Sequence, residues 1–312
     1  MAAALALSSL LTIAGAAPLR RPHIWMNLQD DFGWFDWNGP PLAPYRMNLK
    51  QLAHEGIVLT NHLVHYHCSP TRRSFLSGRL PIHHGEMLSG VATDDLDLRW
   101  TLISGKLQKA GYSTHWVGKG HTGYRSVNHL PTNVGFDSFT GFLSGSQSYT
   151  SSDRWRDSGP LNDMSYSSDL FGQVALAIVE KHTLSDGPLF LYLPWQAVHS
   201  PYNPVPGFDC EAAVPPYPGV FAGMLNESDA YVGKIAALLK QKDYWANTLV
   251  VGSSDNGGVS IHGLAGINYP LRGEKHTTWA GGYRVAAFVS GGVVPKALHG
   301  STSNLRLSIV DW

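Results

Sequence analysis

Three short apolar runs constrain this chain more than any other feature. Pro22–Leu28 reads PHIWMNL, Leu189–Leu193 reads LFLYL and Thr248–Ser254 reads TLVVGSS. Each is strand-sized and too short for a buried helix, and none alternates apolar with polar residues. A strand without alternation is covered on both faces, which is the signature of a parallel or mostly parallel sheet between two helical layers. The intervening chain agrees. Met47–Glu55, closed by Gly56, Thr101–Ala110, closed by Gly111, Ser165–Lys181 and Phe221–Lys240 carry helical spacing. Ile57–Leu63, Ser113–Val117 and Arg284–Ser290 read as further strands. The alternation predicts an α/β fold with helices on both faces. Residues 123–164, rich in Gly, Ser, Asp and aromatics without a clear period, read as an irregular excursion with at most short helices.

Composition narrows the function classes. At 312 residues the chain is long enough for one large domain or two smaller ones. Charged residues make up 15%, the net charge is zero and the pI is about 7.3, which argues against electrostatic binding to nucleic acid or an anionic membrane. Met1–Ala17 is an apolar run ending in small residues, without Lys or Arg at its start. It is expected to be a secretory signal, cleaved near Ala16 or Ala17, leaving no stable membrane insertion. Of two cysteines, Cys68 and Cys210, the second has no internal disulfide partner if the first is used for chemistry. Asn226-Glu227-Ser228 is a glycosylation sequon for a secreted eukaryotic protein.

Polar chemistry collects where the strands end. Asp30 and Asp31 follow the first run; Lys119 and His121 follow Ser113–Val117; His199 follows the Leu189 run; Asp255 and Asn256 follow the Thr248 run. Open α/β sheets bind ligands at the C-terminal ends of their strands. A single such residue is more often surface decoration, so the argument rests on their number. Lys275 adds a cation from the loop LRGEKHTTWAGG. The stretch Cys68–Arg79, CSPTRRSFLSGR, has Pro70 suited to a first helical turn and Arg72 one turn beyond Cys68. That places Cys68 at a helix N-terminus, a nest for an anion. A lone cysteine is ordinarily structural, and here the pattern around it argues otherwise. Arg72, Lys119 and Lys275, with two histidines, would hold a tetrahedral dianion. Three carboxylates and an Asn amide are hard oxygen ligands, which favour Ca2+, then Mg2+, and disfavour zinc.

The Cys68–Arg79 stretch resembles the sulfatase signature, Cys-x-Pro-x-Arg followed by Ser/Thr-Gly-Arg, and the resemblance extends from about Pro22 to Trp312 with the motifs in family order. It implies an alkaline-phosphatase-like α/β sandwich and a sulfuric ester hydrolase. By that likeness Asp30, Asp31, Asp255 and Asn256, together with the residue at 68, match the metal site. Cys68 would be oxidised to formylglycine by a formylglycine-generating enzyme during maturation. Arg72 and Lys119 match the residues that stabilise it, and His121 the base on its hydroxyl. His199 and Lys275 match the groups that grip the sulfate and its leaving oxygen. DDFGW, PLFLYLPWQAVHSP and SSDNGG with LRGEK are most similar to the arylsulfatase B (N-acetylgalactosamine-4-sulfatase) group, which implies a sulfated small molecule or saccharide as substrate. Residues 18–312 would then be the catalytic domain, truncated at its C-terminal end and lacking the smaller subdomain, in a protein that is secreted, lysosomal or periplasmic. Gly120, where the family has Trp, and Ala280, where it has Glu, are departures expected to loosen positioning. Two rival readings remain: a phosphodiesterase or phosphonate hydrolase using the same formylglycine, and an inactive secreted binding protein.

Overall fold

The computed structural model describes residues 21–84, 95–212, 214–260 and 265–312, so the expected leader lies outside the described residues. Their strands form one eleven-stranded sheet. The strands are β1 (His23–Gln29), β2 (Ile57–Leu63), β3 (Ser113–Lys119), β4 (Ser138–Phe142), β5 (Trp155–Arg156) and β6 (Gly159–Pro160). They continue with β7 (Leu189–Pro194), β8 (Thr248–Ser254), β9 (Arg284–Ser290), β10 (Ser301–Ser303) and β11 (Leu307–Ser308). Across the sheet the order is β10-β2-β9-β8-β1-β7-β3-β4-β5-β6, with β11 also on β2. The centre, β8-β1-β7-β3-β4, is parallel throughout, with Trp25 opposite both Leu191 and Val250. β9 is the antiparallel insertion, paired with β8 on one side and β2 on the other.

The unbroken apolar runs acquire their reason here. Leu189, Leu191 and Leu193 of β7 enter one hydrophobic core, while Phe190 and Tyr192 enter the other. Each buried side chain contributes about 1.5–3 kcal/mol, so both faces of the strand must be apolar. The helices are α1 (Trp34–Asn38), α2 (Met47–His54), α3 (Cys68–Ser77), α4 (Pro81–His84), α5 (Ile103–Lys109), α6 (Ser167–Lys181), α7 (Gly219–Gln241) and α8 (Ala280–Tyr283). α2, α6 and α7 cover the first core; α3 and α5 cover the second. The Asp229 carboxylate on α7 accepts the backbone N–H of Asn48 and Leu49 at 2.9 and 2.8 Å, tying the first turn of α2 to the long helix. Asn226 lies inside α7, half-buried, and Ser228 is fully buried there with its hydroxyl donated to the Leu225 carbonyl.

One expectation needs correction. Residues 123–164 are not merely an irregular excursion, because β4 lies within them and continues the parallel sheet beyond β3. Its sequence, SFTGF, is too short and too Gly- and Ser-containing to stand out. Close backbone approach makes it a strand: a Cβ on Gly141 would run into the Gly118 carbonyl.

Candidate active site

β8, β1, β7 and β3 end on the same edge, and β2, antiparallel to β9, ends there too. Chain direction therefore delivers Asp30 and Asp31, Lys119, His199, and Asp255 and Asn256 to one place. The turn after β2 delivers Cys68, the first residue of α3, whose C-terminal stop is Gly78 at φ 64°. Lys275 reaches in from the loop ahead of α8. The structure brings all ten residues into one contiguous cluster.

The Cys68 sulfur is 2% exposed as a residue and stands 3.3 Å from Lys119 Nζ, 3.2 Å from Lys275 Nζ and 3.5 Å from Asp30 Oδ1. Burial and the Asp255 charge push its thiol up. Lys119, Lys275 and a hydrogen bond with His121 outweigh them and hold it well below the usual thiol value. Lys119 also pairs with Asp30 Oδ2 at 2.5 Å, and Lys275 with Asp31 Oδ1 at 2.6 Å.

Arg72 meets the cluster through its carboxylates. It is fully buried, and its guanidinium grips Asp255 Oδ2 at 2.9 and 2.7 Å, Asp30 Oδ2 at 3.2 Å and the Lys119 carbonyl at 3.1 Å. It faces the carboxylates, and it does not line the cavity beside Cys68. The physical reason is charge: two buried carboxylates leave a planar cation no better partner.

The two histidines are set apart by their surroundings. Burial lowers His121, and Lys119 adds to that against the pull of Cys68, so its imidazole is neutral near pH 7. Burial and Lys119 also oppose a charge on His199, but Asp31, 3.7 Å away, and Asp30 overcome them and raise it. The His199 backbone carbonyl is held by the Tyr149 hydroxyl at 2.9 Å, a contact no sequence pattern announced. Asp31, His121 and His276 all adopt positive φ, of 56°, 61° and 67°. Such strain in non-glycine residues gathers at functional sites.

Whether a cation fits can be judged from the oxygens. One donor atom each from Asp30, Asp31, Cys68 and His199 lies within 4.8 Å of the others. Among the described residues, Asp31 Oδ2 and Asn256 Oδ1 are buried without a hydrogen-bond partner. Asn256 turns its amide NH2 toward Asp31 Oδ1 at 2.7 Å, and Asp255 leans on Arg72. Burial and then the Cys68 charge push Asp30 up, and burial and then Asp30 push Asp255 up. Against burial, Lys275 and His199 hold Asp31 low, so Asp30 and Asp255 are the carboxylates short of positive charge, and a hard divalent cation fits that deficit.

Gly120 joins β3 to His121. Its N–H donates to the Phe142 carbonyl at 2.7 Å and His121 N–H to Leu143 at 3.0 Å, which carries the β3–β4 ladder up to the histidine. A Cβ at 120 would sit 2.9 Å from that carbonyl, so the glycine is what allows the approach. A cavity of about 540 Å³ opens above Cys68. Its outer wall includes Tyr66, His67, Ser144, Ser146 and His276, which sequence reasoning passed over. The only hint was that His67 and His276 adjoin Cys68 and Lys275 in the chain.

A family model described as Sulfatase matches residues 22–311. The chain belongs to the sulfatase family. This sulfatase-family chain is 33% identical to mouse arylsulfatase J over 96% of its length and 52% of that protein's. It is 30% identical to mouse N-acetylgalactosamine-6-sulfatase, over 91% of its length and 59% of the relative's. It thus spans between half and three-fifths of the length of these relatives. Among solved structures, Ps i-CgsB in complex with k-i-k-neocarrahexaose superposes with a TM-score of 0.82 at 27% identity, covering 94% of this chain and 70% of that one. The architecture is the alkaline-phosphatase-like α/β sandwich of the family.

Proposed function

We propose that this site hydrolyses sulfate esters, those of sulfated saccharides first, with the residue at 68 as nucleophile after conversion to formylglycine and with Ca2+ bound beside it. The observation that carries the reading is the setting of Cys68. It heads α3 at the strand ends, between Lys119 and Lys275, bonded to His121, and opens on a cavity. Ca2+ would be held by Asp30, Asp31, Asp255 and Asn256 with the oxygen at position 68, and would polarise that oxygen. Formylglycine in its hydrated form supplies one hydroxyl to attack sulfur and a second whose loss of a proton releases sulfate.

The remaining work falls to this chain's side chains. His121, neutral and within bonding reach of position 68, takes the proton of the hydroxyl there. Lys119 and Lys275 neutralise charge on the attacked group, and Arg72 holds Asp255 and Asp30 in place beneath it. His199, more readily protonated, gives its proton to the departing alcohol. A secretory route fits this reading, since the leader would carry the chain to the modifying enzyme. No helix among the described residues is long and apolar enough to cross a membrane.

The test is mass spectrometry of the peptide around Cys68 alongside turnover. Active protein should have lost the thiol and gained an aldehyde. It should also hydrolyse 4-nitrophenyl sulfate faster than bis(4-nitrophenyl) phosphate. Cys68→Ser should lose roughly a thousandfold or more in kcat. Full activity with an intact thiol overturns the nucleophile, and a preference for the diester overturns the bond.

A further inference from the structure

The cavity above Cys68 is built unlike an ordinary small-molecule pocket. Such pockets are lined chiefly by hydrophobic and aromatic side chains with a few polar groups. Here, among the described residues, no aliphatic side chain, Phe or Trp reaches the wall. Four imidazoles, the Tyr66 ring, two serines, the Cys68 thiol and one ammonium make it instead, so ring faces and hydrogen-bonding groups share the wall. Cys68, His121, His199 and Lys275 are accounted for by the proposed reaction. The other polar groups of the wall are not.

Two of these form a unit. His67 and His276 stand with ring centroids 5.6 Å apart and planes tilted by 33°, and Tyr66 meets the His67 ring edge-on at 5.2 Å. Each is the chain neighbour of a residue at the reacting centre, His67 of Cys68 and His276 of Lys275, so neither can drift relative to it. The His276 backbone N–H is donated to the Tyr66 carbonyl at 2.7 Å, which joins the two loops. His276 holds its place at φ 67°, a conformation that costs a non-glycine residue of order 1–3 kcal/mol unless its surroundings enforce it. Ring pairs fixed on two tied loops are preorganised, and preorganised donors lose little on binding.

We propose that the His67–His276 pair is the subsite for the alcohol half of the ester, and that it selects a hydroxyl-rich sugar over a flat aromatic or aliphatic leaving group. This rests on the sulfate-ester reading of the same cavity. Imidazole nitrogens donate to and accept from ring hydroxyls, and imidazole faces stack on the C–H face of a pyranose. An aryl group could stack on the same rings but offers the imidazole nitrogens no hydroxyl, and a buried nitrogen left unpaired costs about 1–3 kcal/mol. On the side of His121 the wall is glycine and serine: Gly145, between Ser144 and Ser146, lies so close that a Cβ would sit 2.8 Å from the imidazole.

The experiment compares a hexose monosulfate with 4-nitrophenyl sulfate on the Ca2+-loaded, modified protein and on His276→Ala and His276→Gln. The wild type should prefer the hexose sulfate in kcat/KM. His276→Ala should raise KM for that substrate tenfold or more with a much smaller change in kcat, and so compress the preference. His276→Gln, which keeps a donor and an acceptor, should restore part of it. Binding of the hexose monosulfate, followed by saturation-transfer NMR, should weaken in parallel in His276→Ala. Equal losses on both substrates, or a wild-type preference for the aryl ester, overturn the subsite and leave sulfate hydrolysis standing. A wild type that turns over neither ester and does not bind the hexose sulfate overturns both.

Discussion

At the scale of the residue, the cluster is governed by a balance of buried charge. Arg72, Lys119 and Lys275 face three carboxylates and the sulfur of Cys68, and every one of these groups is nearly or wholly inaccessible. Spacing along α3 puts Arg72 one turn past Cys68, which is all that its sequence position implies. Its partners, Asp255 and Asp30, lie 183 and 42 residues away, and they decide which way the guanidinium turns. The orphaned oxygens of Asp31 and Asn256 lead to a measurable expectation. Ca2+ at about a hundred times its Kd should stabilise the fold by about 2.7 kcal/mol. That appears as a rise of several degrees in the melting midpoint, reversed by chelator. Asp255→Ala should abolish most of the rise. If the variant keeps the full Ca2+-dependent rise, the carboxylates are not the cation's ligands.

At the scale of the element, close packing without side chains sets the distances between layers. Gly172 of α6 lies against the Tyr231 ring of α7, and a Cβ there would run into the ring. Gly172→Ala pits two effects against each other. Ala is favoured over Gly in a helix by about 1 kcal/mol, whereas overpacking a tight contact costs about 1–3 kcal/mol. The contact is with the rigid ring itself, with no free rotamer to give way, so the packing term should win. A net loss of about 1–2 kcal/mol in urea denaturation is expected, and unchanged or increased stability would show that the two helices slide apart freely. The same rule explains which strands were legible. β7 and β8 carry enough Leu, Val and Phe to be seen in the sequence, and their boundaries were read to within a residue. β4 is strand by virtue of its neighbour, with Gly141 on Gly118, and nothing local to SFTGF announces it.

At the scale of the whole molecule, two cores on opposite faces of one sheet bury histidines as neutral groups. Burial lowers His23, His62, His65 and His84 to about 4, with neighbouring His182 adding to the effect at His23 and Arg73 at His84. His62 is fully buried, accepts the Trp312 indole N–H at 2.9 Å and meets the Ser253 hydroxyl at 3.4 Å. Unfolded, such histidines titrate near 6.5, so below that pH the unfolded chain binds protons the fold refuses. Stability is therefore fully present above about pH 6.5 and falls as the pH drops toward 4, by about 3 kcal/mol for His62 alone. Urea midpoints measured from pH 7.5 to 4.5 should decline, and His62→Gln should flatten the slope; a midpoint independent of pH would mean these sites hydrate on protonation. What the sequence determined by itself was whatever depends on near neighbours: the unbroken apolar runs that demand cover on both faces, the helix begun at Cys68 with Pro70 in its first turn, and the polar residues set at strand ends. Seven of the ten chemically suggestive residues were legible because they follow strand ends, and Cys68, Arg72 and Lys275 because they sit in local motifs of helix and loop. The tertiary structure alone decided the rest. It turned Arg72 onto the carboxylates, made a strand of SFTGF, let Gly120 carry the ladder to His121, and set His67 beside His276. Each of these depends on a partner distant in the chain, and the energy of such a contact exists only once both loops arrive at the same sheet edge.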